Sequence, residues 1–93
     1  MPVFSIQVTI PTGGGPVQVS STQTLVRYVE FQNNASHTMR AGGAQVSSTL
    51  GHLLAASGGE WPIHCGSPGY YAYLSDFWVV GTAADVLDVV YVT

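Results

Sequence analysis

The chain has 93 residues and a mass of 9.8 kDa, enough for one domain around one hydrophobic core. Charged residues make up 8% of it, against roughly 25% in an ordinary soluble domain, with no lysine, only Arg27 and Arg40 as fixed cations, and a net charge of -3. So few cations exclude a phosphate-tracking nucleic-acid surface and an anionic-membrane anchor, and an apolar content of 46% excludes a disordered chain.

In chain order, Phe4, Ile6, Val8 and Ile10 alternate with Ser5, Gln7 and Thr9, the period-two pattern of a strand with one dry face. Pro11-Thr12-Gly13-Gly14-Gly15-Pro16 predicts a flexible loop, and Val17 to Ser20 a short second strand. Thr24 to Gln32 reads as the next strand, with Leu25, Val29 and Phe31 on one face and Val26, Tyr28 and Glu30 on the other. Asn33-Asn34-Ala35-Ser36 is turn chemistry, because asparagine tolerates a left-handed backbone and bonds its own main chain. His37 to Ala41 returns as a strand stopped by Gly42-Gly43, and Ala44 to Ser48 reads as a further short strand.

Thr49 to Ala56 is the one stretch with a helical look, but Gly51 in its middle costs about 1 kcal/mol relative to alanine, so it reads as loop plus strand. Trp61 to Cys65, Tyr70 to Leu74, Phe77 to Val80 and Val86 to Val92 complete the strands, divided by Gly66-Ser67-Pro68-Gly69, by Ser75-Asp76 and by Gly81 to Asp85. About seven or eight short strands with turn signals between them predict an all-β domain over residues 1–93, an antiparallel β-sandwich or a jelly-roll-like barrel. Residues 1–19 read as an arm given more to a neighbouring subunit than to the chain's own core, because the glycine loop ties the first strand on without a side-chain anchor. On the last strand Val86, Val90 and Val92 face away from Leu87, Val89 and Tyr91, so both faces are largely apolar and one is expected to be covered by a partner.

Few residues point to chemistry. His64 and Cys65 are strand neighbours, so they face opposite ways and do not form a base–nucleophile pair; Cys65 reads as a small apolar residue. His37, His52, His64, Cys65 and Glu60 match no metal-binding spacing, and no cofactor is expected. Gly13-Gly14-Gly15 is followed by no helix or lysine, so it is not a phosphate cradle. Asp85 and Asp88 are three apart on a strand and cannot act as a facing carboxylate pair. The aromatics Trp61, Tyr70, Tyr71, Tyr73, Phe77 and Trp78 are the richest feature, suited to core and interface, or to a stacking platform for sugar rings.

The serial order of Val26 to Ser36, Met39-Arg40-Ala41-Gly42, Val46 to Ala55, Gly58-Gly59-Glu60-Trp61 and Tyr73 to Val86 resembles small tailed-bacteriophage virion proteins that decorate or cement the head, from about Ser20 onward. Ala55-Ala56-Ser57 departs from that pattern, where such proteins often carry a proline or a single glycine turn. The resemblance implies a non-enzymatic virion protein without cofactor, bound to the major capsid protein or other virion proteins as a homo-oligomer, a trimer by analogy. With no basic residue or cleavage site near Met1, no signal peptide is expected, and the product is expected to be made in the host cytoplasm and built into the virion. Candidate contact residues are Phe4, Ile6, Val8 and Ile10 of the arm and Trp61, Tyr70, Tyr71 and Tyr73 of the aromatic segment; the alternative reading is a carbohydrate-binding module or a fibre or adhesin domain.

Overall fold

The computed structural model describes residues 2–65 and 72–93. Among them lie ten strands: β1 (Val3–Thr9), β2 (Val17–Gln18), β3 (Leu25–Val26), β4 (Tyr28–Asn33), β5 (Met39–Gly42), β6 (His52–Leu54), β7 (Gly59–His64), β8 (Ala72–Tyr73), β9 (Trp78–Val80) and β10 (Val86–Val92). A short 3-10 turn covers Leu74–Asp76.

Each strand of the first half pairs antiparallel with its counterpart from the second: β1 with β10, β2 with β9, β3 with β8, β4 with β7 and β5 with β6. The register runs from Val3 opposite Val92 at the open end to Ala41 opposite His52 near the tip. The chain is thus one long nested hairpin, rolled so that β10 also meets β4 and β9 also meets β5. Rolling produces two four-stranded sheets, β1-β10-β4-β7 (sheet A) and β2-β9-β5-β6 (sheet B), plus the two-stranded β3-β8 ladder. This order is the connectivity of a jelly roll. The sheets stay open at their edges, so the sandwich form holds and the barrel form does not.

Alternation decides what lies between the sheets. Val8, Leu87, Val89, Val29 and Phe31 point inward from sheet A, and Met39, Ala41, Leu54 and Val79 from sheet B. β1 belongs to its own chain's sheet over its whole length, and Val8 and Ile10 are only 6% and 1% exposed. Those two residues are therefore part of the chain's own core, Ile10 because its N–H donates to Asp85 O and its carbonyl accepts from Ala84 N–H in the β9–β10 turn. That loop is also anchored by its backbone: Gly81 N–H donates to Gly14 O at 3.0 Å, and a Cβ on Gly14 would come within 2.7 Å of Gly81 O.

Three strand expectations need correction. Thr24 to Gln32 is not one strand: the chain steps at Arg27, whose N–H bonds Val92 O and whose carbonyl accepts from Cys65 N–H. The extra residue shifts the alternation, so Val26 is buried and Leu25 is 48% exposed. Ala44 to Ser48 is a turn, held by the Ser47 hydroxyl accepting from the N–H groups of Thr49 and Leu50. The strand expected at Tyr70 to Leu74 covers Ala72–Tyr73 in the described part and then tightens into the 3-10 turn, where Tyr73 N–H donates to Asp76 Oδ2.

Asn33 links the two sheets. Fully buried at the end of β4, it donates from Nδ2 to His37 O at 2.8 Å and to Leu54 O at 3.0 Å, and its Oδ1 accepts from Ala35 N–H. Leu54 ends β6 in sheet B, so one side chain closes the turn and ties the sheets together. Asn33→Leu leaves these partners unpaired and should lower stability by about 2–3 kcal/mol, read as a lower urea midpoint at unchanged slope. Asn33→Asp sets an acceptor against two carbonyl oxygens and should be worse at neutral pH. The introduced carboxyl has its folded-state pKa raised, so it is best tolerated at low pH, and stability falls as pH rises through that raised value.

Candidate functional site

The outward face of sheet A is the broadest regular surface. Its register sets Val3, Val92, Tyr28 and His64 in one row, Ser5, Val90, Glu30 and Pro62 in the next, and Gln7, Asp88, Gln32 and Glu60 in a third. The two upper rows carry the exposed apolar side chains, Val3 at 65% and Val90 at 37%, interleaved with Ser5, Glu30 and His64. The face as a whole holds three of the chain's five acids, Glu30 in the second row and Glu60 and Asp88 in the third. Asp88 is fixed by Gln7 Nε2 at 3.0 Å and Asn34 Nδ2 at 2.7 Å. Tyr28 donates its phenol proton to Glu30 and tilts against the His64 ring. That hydrogen bond, then burial, then the charges of Glu30 and Glu60 raise the Tyr28 pKa above the ordinary 10.0.

The sequence-predicted contact residues divide. Phe4 remains on the surface at 43% exposure, stacked on Tyr91 with ring centres 5.2 Å apart. Ile6 is half-buried against the core. Trp61 is half-buried between sheets, with His52 stacked on it at 4.6 Å and Phe31 and Phe77 against its other sides. A sugar-stacking platform needs an open ring face, and here His52 lies over that ring. Tyr73 is half-buried opposite Leu25, and Tyr70 and Tyr71 lie outside the described residues. The sequence signal for exposed Val90 is the two-sided apolar pattern of the last strand; Val3 stands one residue before the Phe4–Ile10 alternation and carries no such signal.

A second feature is an open cleft of about 540 Å³ between the Gly13–Pro16 loop, the outward face of β5 and the turn before β6. Arg40 stands in it, its guanidinium held by Ser48 O at 3.1 Å and Gly51 O at 2.9 Å, with Leu53 and the Thr82 loop as neighbours. The histidines are dispersed: His37 on Asp85 at 3.0 Å, His52 on Trp61, and His64 beside Tyr28. Among the described residues no three His, Cys, Asp or Glu side chains stand close enough to hold a metal ion. Cys65 is buried, and loss of water around it pushes its thiol pKa up, away from the reactive thiolate. No described helix is long and apolar enough to cross a membrane.

Two outcomes follow from these environments. Cys65 should react with an aromatic disulfide reagent at pH 8 far more slowly in the native protein than in denaturant, by roughly tenfold or more. For Tyr28, a raised folded-state pKa means its contribution is present below the ordinary tyrosine value and is lost as pH rises through the raised one. Tyr28→Phe should therefore flatten the alkaline decline in stability, seen in denaturant midpoints above pH 10.

Compared with known proteins, the chain matches no family model, and no curated protein is significantly similar to it.

Proposed function

We propose that the chain is a non-enzymatic structural protein of a tailed-bacteriophage virion, a decoration or cement protein that binds the major capsid protein of the head shell and stabilises it by adhesion. The observation that carries this reading is the outward face of sheet A. An antiparallel sheet that faces water on one side normally places polar residues there. Here Val3, Val90, Val92, Tyr28 and Pro62 hold five of the eight positions in the two upper rows, interleaved with Ser5, Glu30 and His64 and bordered by Glu60 and Asp88. Jelly rolls serve both viral shells and lectins, so the architecture alone does not choose between them. The covered ring of Trp61 and the exposed valines of the sheet face favour adhesion to protein.

The size of the face sets how such adhesion works. Four strands about 4.8 Å apart and some six residues long present roughly 300–400 Å², about half of what one partner contributes to a standard interface. One copy binds weakly; many copies on a lattice, or copies joined to each other, bind tightly. The matching shell surface is apolar with a basic border, complementary to Glu30, Glu60 and Asp88.

The test is binding to head shells that lack the chain, measured by co-sedimentation. Val90→Glu replaces an exposed apolar side chain by a second carboxylate opposite Glu30 without touching the core and should weaken binding by about tenfold or more. Raising salt should weaken wild-type binding through the acidic flank. No binding of the wild type, or equal binding by Val90→Glu, would contradict the proposal.

A further inference from the structure

We propose that two copies of this chain join through the free edge of β1, antiparallel about a twofold axis at Ile6, so that sheet A runs unbroken through the pair. The inference goes beyond shell binding and does not depend on it.

Among the described residues, the four edges of the two large sheets are not alike, and the β3-β8 ladder has only two residues per strand. In sheet B the edge strands β2 and β6 have two and three residues, too short to template a partner. In sheet A the edge strand β7 carries Pro62, which lacks an N–H and guards the strand against pairing. The other edge is β1, seven residues of sequence VFSIQVT with no proline, no glycine and no charge. Such an edge has none of the devices that keep strands from adding to one another.

The hydrogen-bonding groups of β1 are also sorted. At one end of its ladder Ile10 N–H donates to Asp85 O, and at the other Pro2 O accepts from Thr93 N–H. In an antiparallel ladder the bonded residues alternate, so the even-numbered residues of β1 point their N–H and C=O groups toward β10. Val3, Ser5, Gln7 and Thr9 point theirs outward, and no backbone bond from a described residue meets them.

This outward set is self-complementary in one register. With Ile6 opposite the partner's Ile6, Ser5 meets the partner's Gln7 and Val3 meets the partner's Thr9, and every outward N–H and C=O of both strands is bonded. Residues opposite each other lie on the same face. Phe4, exposed and apolar, then packs beside the partner's Val8 on the inner face, while Ser5 with Gln7 and Val3 with Thr9 pair on the outer one. Because β1 is uncharged, a strand meeting its own copy brings no like charges together. Self-matching of this kind is what a twofold interface requires.

The test uses the full chain. Sedimentation velocity across a concentration series should give twice the 9.8 kDa monomer mass at high concentration. Ser5→Pro removes an outward N–H but no bond of the strand's own ladder, so it should weaken the dimer about tenfold or more with an unchanged circular dichroism spectrum. Cysteine pairs report the register without depending on that variant. In a Cys65→Ala background, Ile6→Cys sits opposite itself at a non-bonded pair, about 4.5 Å between Cα atoms, and should oxidise to a covalent dimer. Val3→Cys, which faces the partner's Thr9, should not. A chain that stays monomeric at every concentration, a trimer, a strand pairing made only with shell protein, or cross-linking as efficient through Val3→Cys would each overturn the proposal.

Discussion

Because Val3 is paired with Val92 and Ala41 with His52, every strand in this molecule takes its position from a partner at the mirror place in the chain. The nested pairing alone would make a flat ribbon with one side dry and nothing to cover it. Rolling brings β10 against β4 and β9 against β5, and these closing ladders convert the ribbon into two facing sheets. The four strands that make them are the central ones, and they carry most of the fully buried side chains, including Val29, Phe31, Leu87, Val79 and Ala41. Asn33 sits where the two demands meet: its backbone belongs to β4, and its side chain holds the carbonyl of Leu54 in the opposite sheet. A buried amide with all its partners in place costs little; the same amide without them would cost the fold dearly.

Much of this was legible in the residues. Strict alternation in β1, two-sided apolar content in β10 and turn residues between the runs identify an all-β sandwich, since period two is a direct consequence of strand geometry. Partner choice was not legible, because alternation says which side of a strand is dry and nothing about which strand lies beside it. That is why β1 reads as a detachable arm from its loop composition, yet Val8 and Ile10 lie in the core once β10 is alongside. The step at Arg27 escaped for a related reason: one extra residue reverses every later face, and only the contacts with Val92 and Cys65 reveal it. Asn33 looks like a turn residue and is one; its burial comes from carbonyls that the chain delivers later.

The aromatic segment shows the same limit at the level of the site. Trp61, Phe77 and Phe31 come from separate stretches and converge between the sheets, with His52 laid over the indole. Nearness in sequence groups Trp61 with Tyr73, but Tyr73 stands opposite Leu25 in the small ladder. The exterior left by this packing is low in charge: a sheet face of mixed apolar and acidic residues, a cleft around Arg40, and one long strand edge. A chain with so little charge to hold water at its surface gains by having such surfaces covered.

The central claim is that β1 is bound to its own chain through its even-numbered residues and offers its odd-numbered ones to a neighbour. Amide hydrogen exchange, resolved residue by residue and repeated at low and high protein concentration, addresses both halves of it. The account predicts that Ile6 and Val8 are protected at both concentrations, while Ser5 and Gln7 exchange freely when dilute and become protected when concentrated. Equal exchange of odd and even amides, or no dependence on concentration, would contradict it.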